Sequence, residues 1–168
     1  MINDNIIIEP GLIFPKKEYN LVFKTCFFHI NHIIFAFYYE MYFCGYIDII
    51  LFGTSLNYWR YPLNVSIRRY IDITWVSISI SYHLYLSLYL KTLLSTMIIL
   101  NGIFMYPLSN YYLYIHNNYK YSAYLHSLLH VFCSIGACIL YKHSYEEYIN
   151  QSSVFELNRE INVSLAIS

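Results

Sequence analysis

The chain has 168 residues, 10 basic and 10 acidic side chains, no formal net charge, and a 58% hydrophobic composition. With 12% charged residues and a mean hydropathy of +0.40, it lies far from the roughly one-quarter charged make-up of soluble domains, so lipid is expected to be its main solvent. The balanced charge argues against a nucleic-acid binder, because neutralising phosphates takes a clustered excess of Lys and Arg. The 21 tyrosines favour the membrane interface over the hydrocarbon centre and so predict short helices with wide interfacial belts.

In chain order, residues 1–18 read as a cytosolic N-terminal segment. Asp4 and Glu9 but no Lys or Arg flank Ile6-Ile7-Ile8, so the positive region of a cleavable signal peptide is missing. Roughly 20 apolar residues are needed to cross a bilayer, and five such stretches are expected within residues 19–142. The first is about Asn20 to Tyr39, interrupted by Lys24, His29 and His32, and the second is about Met41 to Tyr58, containing Asp48. A tight turn at Glu40 separates them. The third runs from about Tyr70 to Leu90, the fourth from about Thr92 to Tyr106, and the fifth from about Tyr124 to Tyr141. Pro107, which lacks an amide hydrogen, is expected to end the fourth. Residues 143–168, with Glu146, Glu147, Glu156 and Glu160, read as a polar C-terminal tail. The fold class is therefore all-α, a polytopic transmembrane bundle. Cys26, Cys44, Cys133 and Cys138 lie in apolar runs without CxxC spacing and read as small hydrophobes.

Five spans put Lys16, Lys17, Arg60, Arg68, Arg69 and Lys120 on one side and Lys91, Lys142 and Arg159 on the other. Short loops rich in Lys and Arg stay cytosolic, so the N-terminus is expected inside. The acceptor sequons at Asn150 and Asn162 then face outward, and that at Asn64 faces the cytosol. Asp48, costly at mid-membrane, is expected to pair with Lys24 or His29. Ser77, Ser79, Ser81, Ser87, Ser95 and Thr96 are expected to be close-packing contacts between helices.

Two segments carry most of the chemistry. One runs from Ser55 through Trp59, Arg60, Arg68 and Arg69 to Asp72, and the other is Leu125-His126-Ser-Leu-Leu-His130. His126 and His130, spaced i and i+4, share a helix face at about 6 Å, which is either a metal-ligand pair or a chance pairing among seven histidines. Asp72 lies one turn beyond Arg68 and Arg69, so an interfacial ion pair and a catalytic carboxylate are both open. The arginines are either the positive-inside signal or a site for an anionic head group. The polar residues gather at one predicted depth, which counts against a transport pathway.

Ser55-Leu-Asn-Tyr-Trp59, the Arg68-Arg69 pair, Asp72, and His126-xxx-His130 with Gly136 together resemble the signature of the CREST superfamily of membrane hydrolases. That superfamily includes alkaline ceramidases, hemolysin-III-like proteins and the progestin and adiponectin receptors. The resemblance covers about Thr54 to Asp72 and Leu125 to Tyr141. It implies a seven-helix protein in which three histidines hold zinc and a serine and an aspartate position or polarise the attacking water. Ser55 matches that serine, Asp72 the aspartate, and His126 and His130 the paired ligands. Four residues after the serine, where the family has its first zinc ligand, this chain has Trp59, and indole offers no lone pair to a metal. Asp72 or His116 is then the candidate third ligand. His83, 11 residues beyond Asp72 on a similar face, would lie about 16 Å deeper.

The resemblance implies zinc-activated water attacking a lipid amide or ester at the cytosolic boundary, with Asp72 taking the proton and Arg60, Arg68 and Arg69 near the head group. The alternative is a non-catalytic scaffold or receptor-like relative that has lost the metal. Membrane lipids are the expected partners in either case.

Overall fold

A computed structural model describes residues 9–167, with side chains described through Asn150 and at Ser152. The first eight residues of the expected N-terminal segment, and the side chain of Asn162 in the last sequon, lie outside the described residues. The chain forms α1 (Lys16–Thr25), a 3-10 turn (Cys26–Phe28), α2 (His29–Tyr38), α3 (Tyr42–Trp59), α4 (Ile67–Tyr89), α5 (Leu93–Tyr114) and α6 (Tyr119–Ile167). The backbone stays right-handed helical through Cys26 to His29, so α1 and α2 form one rod. Five rods thus run back and forth, as the five apolar stretches predict.

The turns are short because each places one residue in left-handed backbone: Glu40 at φ 59°, Lys91 at 54° and Asn117 at 51°. This conformation reverses the chain in three or four residues and comes more readily to Asn than to Glu or Lys. At the other loop, Ser66 caps α4, its Oγ accepting from the Arg69 amide at 3.2 Å, as a serine N-cap should. The segment before α1 crosses this loop in an isolated antiparallel bridge, Leu12 to Leu63, with Asn64 N donating to Gly11 O at 2.8 Å. The lysines that open α1, the arginines in and just after the α3–α4 loop, and Lys120 therefore sit at one end.

Two expected boundaries move. Pro107 lies inside α5, which continues to Tyr114, because the second half of the helix is held from outside. Ser109 Oγ bonds Ser122 O at 2.9 Å, and Leu113 is buried. Neighbouring helices often compensate a proline in this way when it lies within a membrane helix. At the other end α6 runs for 49 residues without a break at Tyr141, so the polar tail begins as a helical extension. Nothing from Lys142 to Asn150 stops it, and Lys142 and Glu146 form an exposed i,i+4 pair at 3.7 Å.

Among the described residues, three helices are long and apolar enough to cross a membrane: Lys16–Tyr38, Leu93–Tyr114 and Tyr119–Asn150. Polarity is distributed inside out. Ile34, Phe43, Leu94 and Phe104 are exposed while His32, Asp48, Asp72, Ser87 and Ser95 are buried, the arrangement expected where lipid surrounds the bundle. The four cysteines are free.

The closest helix pair is α5 against α6. Ser95 Oγ donates to Gly136 O at 2.8 Å, and a Cβ on Gly136 would stand 2.6 Å from Ile99 Cγ1 and 3.3 Å from its backbone nitrogen. Small residues at such crossings let backbones approach where no hydrophobic force drives association. Gly136→Leu is therefore expected to lower stability by about 1–3 kcal/mol, the cost of overpacking, read as a lower melting temperature in detergent micelles.

Candidate functional site

The centre of the bundle holds a cavity of about 390 Å³, bounded by α2, α3, α4, α5 and α6. Its wall is largely apolar, with Ile99, Ile103, Leu129 and Val76, and is interrupted by histidines, two aspartates and serines. Because α5 packs mainly on α6 and only lightly on α4, the wall between α4 and α5 is thin. There the lining reaches exposed residues, Ile73 and Ser77 on α4 and Tyr106 and Pro107 on α5.

Ser55 and Asp72, far apart in sequence, meet at the end near the α3–α4 loop. Ser55 Oγ donates to Asp72 Oδ1 at 2.6 Å, and both side chains are buried. The late turns of α3 and the first turns of α4 share one depth, which brings the pair together. Asp72 thus takes a hydroxyl as its partner, while the arginines are engaged with the loop. Arg68 donates to Asn57 O and Tyr61 O at 3.3 Å, and Arg69 Nη1 donates to Asn64 O at 2.6 Å and Asn64 Oδ1 at 2.5 Å. Arg60 is exposed and Arg69 borders the cavity.

His126 and His130 also face this region, their ring centroids 5.3 Å apart. Trp59 is 4% exposed and packs at 4.6 Å centroid to centroid on His126, with Phe14 of the N-terminal segment 5.8 Å behind it. Tyr106 meets His126 at 6.0 Å. His116 is exposed and lies against Tyr111 and Tyr112, so it is not a third ligand beside the pair. Catalytic zinc usually needs three protein donors around an open position. Here indole supplies none, Asp72 Oδ1 is occupied by Ser55, and among the described residues no group of three or more His, Cys, Asp or Glu could hold a metal ion. The donor set does not fit zinc.

A second polar cluster lies deeper, where no polar cluster was expected. Asp48, 1% exposed, accepts from Tyr141 Oη at 2.6 Å through Oδ2 and from Ser79 Oγ at 3.4 Å through Oδ1. His32 Nε2 and His83 Nε2 each stand 3.7 Å from its carboxylate. The expected partners Lys24 and His29 are not the ones used. Lys24 is exposed, and His29 turns to His32, Nδ1 to Nε2 at 3.3 Å, and to His130, ring to ring at 5.0 Å. His83 also bonds Tyr141 Oη. Of the serines expected as packing contacts, Ser79, Ser87 and Ser95 are buried, whereas Ser77 and Ser81 are exposed at the edge of the cavity. Tyr141 was missed because a tyrosine at the end of an apolar stretch reads as an interfacial belt residue. The available signal was the i,i+4 series Ser79, His83, Ser87, a polar stripe along one face of α4.

No family model matches the chain, and no curated protein or solved structure is significantly similar to it.

Proposed function

We propose that the protein is a multi-pass membrane protein that takes a membrane lipid into its central cavity, as a receptor-like, non-catalytic relative of the CREST hydrolases. The observation that carries this reading is Trp59 packed on His126, an indole where the resemblance expects a metal ligand. The thin wall between α4 and α5 supports it, since an acyl chain can enter sideways there from the bilayer into an apolar cavity. In this reading all five rods cross the membrane. α3 and α4, at 18 and 23 residues, are long enough at about 1.5 Å per residue and turn Asp48, Ser55, Asp72 and His83 inward. The basic end that carries Lys16, Arg60, Arg68, Arg69 and Lys120 is then cytosolic.

A second reading, hydrolysis of a lipid amide or ester, is favoured by one contact, Ser55 on Asp72 at 2.6 Å. In it Asp72 accepts the proton of an attacking water and Ser55 holds the carboxylate in place.

One experiment separates the two. The chain has two tryptophans, so in Trp75→Phe the emission comes from Trp59 alone. Titrating this variant in micelles with a fatty amide brominated on its acyl chain is expected to quench Trp59 saturably, and Ile103→Phe, which narrows the α4–α5 gap, is expected to remove the saturable part. Quenching that never saturates would overturn the lipid site. Release of free fatty acid by the parent protein but not by Asp72→Asn would replace the receptor reading with the hydrolase.

A further inference from the structure

Among the described residues of the basic end, Arg69 is the one cation that lines the cavity. Its guanidinium carries five N–H hydrogens. The two on Nη1 go to Asn64 O and Asn64 Oδ1, both uncharged, which fixes the group without neutralising it. Three hydrogens remain, on Nε and Nη2. Asp72, one turn along α4, does not claim them. Its Oδ1 is taken by Ser55, and among the described residues no carboxylate lies within ion-pair distance of Arg69. A held, unneutralised guanidinium at a largely apolar cavity is suited to an anion. Tyr58, Tyr106 and Tyr114 stand beside it. Tyr58 is 3% exposed and lines the cavity, and among the described residues its hydroxyl has no hydrogen-bond partner. A buried hydroxyl left unpaired is costly, and an oxyanion on Arg69 would accept its hydrogen. Tyr106, Asn110 and Tyr114 follow one another at i, i+4 and i+8 on the face of α5 that lines the cavity, so the α4–α5 gap is polar toward its basic end. Further in, the lining turns apolar through Ile73 and Val76 on α4 and Ile103 on α5.

We propose that the ligand of the cavity is an anionic single-chain lipid, its carboxylate or phosphate held by Arg69, Tyr58 and Asn110 at the basic mouth and its chain laid along the apolar lining. This rests on the lipid reading above and adds the charge of the ligand. The free N–H groups of Arg69 can meet two oxygens side by side, the geometry by which arginine recognises carboxylates and phosphates. Tyr58 donates from α3 and the Asn110 amide from α5, so three helices converge on one oxyanion. A cavity of about 390 Å³ lies at the small end of ligand pockets, roughly 300–1,000 Å³, which suits one chain better than two. Arg60 and Arg68, outside the lining, take no part.

The test uses Trp75→Phe in uncharged micelles at alkaline pH, where a fatty acid is ionised, with two probes brominated at the same place on the chain, a fatty acid and its primary amide. Both are expected to quench Trp59 saturably, the acid at about tenfold lower concentration, the worth of a charge-assisted hydrogen bond. Arg69→Gln in this background is expected to bring that ratio to about one. Lys120→Gln, exposed at the same end and outside the lining, is expected to keep it. Tyr58→Phe, which removes only the hydroxyl, is expected to lower the ratio about threefold and serves if Arg69→Gln does not fold. Stearate and octadecyl phosphate, added as unbrominated competitors, separate the two head groups by which displaces the brominated acid at the lower concentration. Displacement by neither overturns the proposal. Equal half-saturation by acid and amide also overturns it and leaves the lipid site standing, whereas quenching that saturates with neither probe removes both. A full preference in a folded Arg69→Gln, or an equal loss in Lys120→Gln, overturns the assignment to Arg69.

Discussion

Replacing Trp59 with histidine is expected to yield detergent-purified protein carrying about one zinc ion per chain, the complement of a three-histidine site. The parent is expected to carry none, and His126→Ala added to the variant should abolish the gain. The argument is positional. Trp59 is buried against His126, and the His126 to His130 spacing already presents two imidazoles on one helix face. A third imidazole from the end of α3 supplies the lone pair that indole lacks. The exchange removes a large buried ring packed on Phe14 and Tyr58, so the metal-free variant is expected to lose about 3 kcal/mol of stability and to recover part of it when zinc is added. Metal analysis and melting curves with and without zinc check both halves. A folded Trp59→His that takes up no zinc would remove the centre of the superfamily reading. Zinc in the parent that His126→Ala with His130→Ala removes would make it a metalloprotein from the start.

Asp48→Ala is expected to be the most damaging single substitution in the bundle, at about 3–5 kcal/mol, because it deletes one member of a buried charged network and strands the others. The Tyr141 hydroxyl, the Ser79 hydroxyl and the facing nitrogens of His32 and His83 all lose the same carboxylate. Tyr141→Phe should cost less, about 1–2 kcal/mol, the range of a single hydrogen bond between membrane helices. The two losses should not add, since removing Asp48 already frees the hydroxyl that Tyr141→Phe deletes. Unfolding of the two single variants and the double variant in micelles gives the coupling directly. Equal costs for Asp48→Ala and for an exposed position outside the cavity wall such as Thr74→Ala would mean that the cluster contributes nothing to the fold.

The rods were legible in the sequence because apolar length marks a membrane helix directly, and the turns were legible from the polar breaks at Glu40 and Lys91. The limits of α5 and α6 were not. Pro107 signals a stop locally, but the hydroxyl of Ser109 and the side chain of Leu113 are held by tertiary contacts that leave no local trace. Ser55 with Asp72 and Trp59 with His126 were correctly placed at one depth, because depth follows from counting residues along each helix. Asp48, Tyr141 and His83 were not grouped, since depth alone does not tell which faces of α3, α4 and α6 turn toward one another. The inference that polarity gathers at one end fails for that reason, and with it fails the argument against a path through the bundle.

The bond between Asp48 and Tyr141 joins residues 93 positions apart, and this distance sets an order of events during synthesis. In the five-span arrangement proposed above, α3 enters the bilayer with His32 behind its carboxylate and nothing ahead. His83 arrives with α4, and the hydroxyl that completes the set arrives only with α6. Until then the half-built bundle holds an acid with too few partners in lipid, a state that favours keeping the proton on Asp48 or keeping α3 close to water and the insertion machinery. Closure of the Asp48 cluster therefore waits for α6.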